Sequence, residues 1–127
     1  MADGSFQVEI VSVEERLYSG EATFVIAQTT EGELGVLAQH EPLFGQLIDG
    51  GAVAIDPVQG DRVAAAIHGG FLSVTGEKVT VLADAAEWAT SLNEADVKRD
   101  LEAAADGSDE QATAQGRLRA LEYLAHK

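Results

Sequence analysis

From Phe6 to Ala83 the hydrophobic pattern is that of β-strands. Phe6, Val8 and Ile10 alternate with Gln7 and Glu9, the spacing of a half-buried strand. Val11 and Val13 then take over the apolar parity, a one-residue shift that predicts a bulge or a change of sheet. "ATFVIAQT" (22–29) is rich in β-formers and stops at the turn-like "TEGE". "GAVAI" (51–55) and "RVAAAI" (62–67) flank "DPVQGD", which predicts a hairpin punctuated by Pro57 and Gly60. "GFLSV" (70–74) and "KVTVLA" (78–83) flank "TGE" and predict a second hairpin. Short strands recurring with glycine turns indicate a sandwich or barrel.

The pattern changes at Asp84. "SLNE" (91–94) reads as a capping box, with Ser91 accepting from the third amide of a helix that runs to about Ala105. Val97, Leu101 and Ala104 fall on one face, and Gly107 offers a C-cap. "SDEQ" (108–111) is a second capping box, opening a helix whose apolar face is Leu118, Leu121 and Leu124 or Ala125. The short link makes the two helices an antiparallel hairpin. Few large apolar residues are available to hold it, and Gly116 costs the second helix about 1 kcal/mol relative to alanine. A loosely docked hairpin is therefore expected. The predicted class is mostly β with α: a sandwich domain over 1–87 and a helical hairpin over 88–127.

A length of 127 residues suits one domain with a small appendage, and 46% hydrophobic residues mark a globular chain. No cysteine is present, which removes disulfides, thiolate metal sites and cysteine nucleophiles. The first residues carry neither a basic region nor a long apolar run, so no signal peptide is expected, and no segment is apolar enough to insert in a membrane. Net charge is −14, and through Asp61 eleven acids face one base, Arg16. Phosphate backbones and anionic lipid surfaces would be repelled, which argues against nucleic acid and favours a basic protein partner or a merely solvated surface.

Catalytic patterns fail one by one. His40-Glu41 would need a second histidine where Phe44 stands, and Pro42 opposes a helix there. The three histidines, 40, 68 and 126, lie far apart in sequence and predict no metal site. His68-Gly69-Gly70 has the look of an esterase oxyanion loop, but no Gly-x-Ser-x-Gly elbow accompanies it, and a strand end with close backbone approach is the simpler reading. No phosphate-cradling glycine motif occurs, no carboxylate pair stands out, and 106–110 lacks calcium-loop spacing. Trp88 is expected to pack at the junction between sheet and helices. The residues alone describe an interaction module without catalytic equipment and without a cofactor.

"VEIVSVEERLYSG" (8–20), "EGELGVLAQHEPLFGQL" (31–47), "GGFLSV" (69–74) and "VTVLADAAE" (79–87) together resemble the epsilon subunit of F-type ATP synthases. That resemblance implies a ten-stranded β-sandwich followed by a two-helix hairpin. It also implies a non-catalytic rotor subunit of the central stalk, coupling proton flow to ATP synthesis and restraining ATP hydrolysis through the hairpin. Its implied partners are gamma, the c ring and, for the hairpin, alpha and beta. Its implied location is peripheral, on the cytoplasmic side of the inner (plasma) membrane. By the same resemblance Glu31, Gly32, Glu33 and Leu34 face the c ring, and Ser12, His40, Pro42 and Leu43 lie against gamma. ATP-binding members carry an Ile/Leu-Asp-x-x-Arg-Ala motif on the first helix. Here Asn93 and Asp96 replace its aspartate and arginine, leaving Arg117 and Arg119 as residual nucleotide contacts. A competing reading is a small-ligand or sugar-binding sandwich, against which one Trp and two Tyr provide few aromatic platforms.

Overall fold

The computed structural model describes residues 4–125; His126 lies outside them. Seven strands precede the helices: β1 (Phe6–Ser12), β2 (Arg16–Thr29), β3 (Gly32–Val36), β4 (Leu43–Pro57), β5 (Val63–Val74), β6 (Lys78–Ala83) and β7 (Ala86–Trp88). They pair in the order β1-β6-β5-β4-β2-β3, and β1 also pairs with β2, so five of them close into a ring. β3 extends from β2 and β7 from β5. β1 and β6 run parallel, while every other pairing is antiparallel. Both predicted hairpins form, β4–β5 and β5–β6. The expected shift between Ile10 and Val11 is present as a break in the β1–β2 register.

The strand count is seven where the resemblance implies ten; β2, β4 and β5 are long and run on through irregularities of register. "RVAAAI" and "GFLSV" belong to one strand, β5, bent at Gly69 and Gly70. A Cβ on Gly70, at φ +135°, would sit 2.1 Å from the Leu82 carbonyl oxygen. Only glycine fits this close approach, as expected, but the pair lies inside one continuous strand and not at a strand end.

That bend swaps the two faces of the strand. Before it, Ala65 and Ile67 point into the sandwich and Ala64 and Ala66 point out; after it, Leu72 and Val74 are buried and Phe71 is exposed. The interior is aliphatic, built on Val8, Ile10, Val25, Val36, Val53, Ile55, Val79 and Val81. On one outer flank Ala52, Ala54, Ala64 and Ala66 form a shallow bed covered by the second helix. Among the described residues no helix covers the other flank, carried by the first half of β4, the second half of β5 and β6, where Phe44, Phe71 and Leu82 are exposed.

A 3-10 turn at Ala89–Ser91 leads to α1 (Glu94–Ala103) and α2 (Asp109–Ala125). The first cap differs from the expectation. Ser91 Oγ donates to the Trp88 carbonyl within the 3-10 turn, and Asn93, in an extended conformation, accepts the Asp96 amide at 3.0 Å. A turn before the helix occupies the serine, so the next polar residue in line becomes the N-cap. α1 ends at Ala103 because Ala104 is already extended, and Gly107 supplies φ +78° in the connecting turn. The second cap forms as expected at Ser108, which accepts the Gln111 amide, while Gln111 Oε1 accepts from Gly107.

The hairpin lies down on the sandwich, and large apolar residues play a smaller part in this than small ones. Gly116 of α2 faces the bulge at Gly50–Gly51, where a Cβ would meet the Gly51 oxygen at 2.9 Å. Gly50 is equally close to the Ala112 carbonyl. Ala120, Leu121, Tyr123 and Leu124 complete the contact with the alanine bed. Leu118 and Ala125 instead line the cleft toward α1, together with Glu94 and Lys98, and Leu121 reaches both. The low-propensity glycine is thus the point of closest docking. Trp88 meets the sandwich core and the edge of Tyr18, with ring centroids 6.1 Å apart.

Candidate interaction surfaces

The turn between β2 and β3 presents Glu31, Gly32 and Glu33 to solvent, with Leu34 half-buried against the core. Thr29 braces it, donating to the Gly32 carbonyl at 2.8 Å and accepting from the Glu31 amide. Gly32, at φ +115°, has nothing within 4 Å of a prospective Cβ, so it serves the turn and leaves the outside free. The amide of Thr30 donates to the Gln46 carbonyl, joining the turn to the start of β4. Residues 29–34 and 43–46 line one open cleft, so the residues expected to meet the c ring adjoin part of the set expected to meet gamma.

Within that second set, His40, Pro42 and Leu43 lie together and Ser12 lies apart. Gln39 takes φ +64° in the loop, and the His40 amide donates to the Leu37 carbonyl. His40 Nδ1 is 2.8 Å from the Glu41 carbonyl oxygen, which requires the proton on Nδ1. Leu43 pairs with Val74 and through it with Val79 at one end of β6, whereas Ser12 pairs with Ala83 at the other end. The Ser12 hydroxyl is engaged by the backbone of Glu15.

The open flank joins the two ends. Phe44 and Phe71 stack with centroids 5.2 Å apart and planes at 19°. Leu82 is opposite Phe71, and Val11 is opposite Leu82, so the outward apolar side chains run from Phe44 toward Val11, the neighbours in sequence of Leu43 and Ser12. Phe44 is 67% exposed, Phe71 44% and Leu82 43%. None of the three was singled out by sequence. Their signal was parity: once Leu72 and Val74 are inside, Phe71 must be outside. Exposed phenylalanines stacked beside a leucine form an apolar surface patch of the kind that protein contacts use.

The two arginines offered as nucleotide contacts are engaged inside the molecule. Arg117 Nε donates to Glu87 Oε1 at 2.8 Å, and Arg119 Nη1 donates to the Gly50 carbonyl at 2.6 Å. Glu87 also accepts from His68 Nε2 at 2.9 Å. Burial pushes the Glu87 carboxyl up, but the bonds from Arg117 and His68 outweigh it and hold it below the usual carboxylate range. Arg62, clamped by both oxygens of Asp56, reaches the Tyr123 carbonyl. Asp96 pairs with Arg99 on the α1 surface. The cleft between the helices sets Asp100, Asp109 and Glu110 against Arg117 alone, a lining that repels phosphate. Among the described residues no group of acids and histidines could hold a metal ion.

The molecule is thus a closed sandwich carrying a docked helical hairpin, with an exposed apolar flank and a polar turn on its surface. The profile described as "ATP synthase, Delta/Epsilon chain, beta-sandwich domain" matches residues 5–89. The ATP synthase epsilon chain of Nocardia farcinica is 51% identical over 118 residues, covering 93% of this chain and 91% of the relative. That of Corynebacterium efficiens is 53% identical over 114 residues, covering 90% of each. The chain belongs to the ATP synthase epsilon chain family and is a non-catalytic subunit. A chain of the Euglena gracilis mitochondrial ATP synthase, in a structure of its OSCP/F1/c-ring, shares the fold with a TM-score of 0.69 at 21% identity. The match covers 99% of this chain and 87% of that one. No helix among the described residues is long and apolar enough to cross a membrane.

Proposed function

We propose that this chain is the central-stalk rotor subunit that couples proton flow through a c ring to ATP synthesis, gripping gamma with the open flank. The single observation that carries the reading is the exposed Phe44–Phe71 stack with Leu82, placed between His40, Pro42 and Leu43 at one end and Ser12 at the other. The polar turn Glu31–Leu34 then rests on the ring, braced by the Thr29 hydroxyl. The subunit sits peripherally on the cytoplasmic side, and its hairpin restrains ATP hydrolysis when it leaves the sandwich and reaches alpha and beta. The family's ten strands correspond to dividing β2, β4 and β5 at their irregularities. A ligand-binding sandwich is the weaker reading, because the two exposed phenylalanines stack on each other and do not stand apart as platforms for a ligand.

The test is Phe71→Ala and Phe44→Ala in the full chain, measured for affinity to purified gamma and for melting temperature. Each is expected to lose on the order of 2 kcal/mol of binding, about thirtyfold, with the melting temperature nearly unchanged. His40→Ala is expected to lose about 1 kcal/mol. Unaltered gamma affinity in both phenylalanine variants overturns the assignment.

A further inference from the structure

Glu33 has a second partner that the turn alone does not explain. Tyr123, on the last turn of α2, donates its phenol to Glu33 Oε2 at 2.5 Å, across ninety positions of sequence. The same turn of helix is held from the other side by Arg62, which donates to the Tyr123 carbonyl. Tyr123 is half-buried and Glu33 is exposed, so the bond joins the end of the docked hairpin to a side chain on the solvent-facing turn. We propose that the Tyr123–Glu33 hydrogen bond makes the docked hairpin part of the ring-facing surface, so that ring contact and hairpin docking strengthen each other. The proposal rests on the reading that residues 31–34 face the ring.

A carboxylate accepts at two oxygens, and Tyr123 engages one. The free oxygen remains available to a cationic or hydrogen-bonding group of a partner, and the phenol fixes the direction in which it points. Without Tyr123, Glu33 is a long exposed side chain at the start of β3, and its ordering must be supplied when the partner binds. Burial, and then the bond to Glu33, push the Tyr123 phenol above its ordinary value, so the donor keeps its proton across the physiological range. Linkage makes the effect reciprocal: a hairpin that leaves the sandwich releases Glu33, and a ring that binds Glu33 retains the hairpin.

Two measurements on the full chain test this. The first is hydrogen exchange of residues 109–125 in the isolated subunit, for Tyr123→Phe, Glu33→Ala and the double variant. Each single change is expected to raise exchange by about tenfold, the scale of a hydrogen bond to a charged group, and the double no more than either alone. The second is binding of the same variants to membrane vesicles holding the c ring and gamma. Tyr123→Phe is expected to weaken binding several-fold, in the same direction as Glu33→Ala. If Glu33→Ala weakens binding and Tyr123→Phe does not, the coupling is refuted and the ring reading stands. If Glu33→Ala has no effect, the ring reading itself fails and the coupling with it. Additive exchange effects in the double variant also refute it.

Discussion

A single methyl group placed at Gly116 tests whether the hairpin is held by small-residue contact. The added carbon would sit 2.9 Å from the Gly51 oxygen and 3.2 Å from the Gly50 carbonyl carbon. Both are backbone atoms of a bulge in β4, a strand paired on both sides, so neither yields as a side-chain tip would. The helix must therefore rise by a few tenths of an ångström. That loosens its fit on the alanine bed and stretches the Arg119–Gly50 bond. Overpacking of this kind costs roughly 1–3 kcal/mol. Alanine also improves helix propensity by about 1 kcal/mol, but that gain belongs to α2 whether it is docked or not. The docking equilibrium of Gly116→Ala is thus expected to shift by about 1–3 kcal/mol, some five- to 150-fold. Methyl NMR reads this directly, since Ala52, Ala54, Ala64 and Ala66 lose their helix neighbours when the hairpin lifts. Gly76→Ala, at a position with nothing within 4 Å, is the control and should change nothing. Unchanged alanine methyl shifts together with slower exchange in α2 would show that propensity outweighs packing, and would refute the reasoning.

Deletion from Ser91 onward is expected to leave a folded sandwich that still binds gamma, because the interior cluster contains no helical residue; loss of cooperative melting would count against it. Millimolar ATP is expected to leave hydrogen exchange over α1 and α2 unchanged, given the acidic cleft and the engaged Arg117 and Arg119. Protection by ATP would contradict this. Glu87 titrates below its ordinary value in the docked state, so its contribution is complete above the free carboxyl value of about 4.3. It is lost as pH falls through the lowered folded value. Trp88 fluorescence should therefore report hairpin loosening on acidification below that point, and Glu87→Gln should show less of this pH dependence.

Much of the architecture was legible along the chain because it rests on local rules. Period-two alternation marked the strands, Thr75-Gly76-Glu77 and the Pro57–Gly60 segment marked two turns, and Ser108 marked the start of α2. Periodicity tells which residues share a face, but not what that face meets. The bend at Gly69–Gly70 inverts the faces of β5 because the backbone must pass the Leu82 carbonyl, and only the β5–β6 register reveals that neighbour. The exposure of Phe71 follows from that inversion, and its stacking on Phe44 from the β4–β5 register. Likewise α2 carries a leucine stripe and a small-residue stripe, and propensity alone makes Gly116 a defect. Folding turns it into a docking point because a bulge with two glycines offers backbone to backbone at a distance no side chain permits. Arg117, Arg119 and Tyr123 found their partners at Glu87, Gly50 and Glu33, thirty to ninety positions away. Such pairings follow from where the chain returns to itself, and no local pattern encodes that.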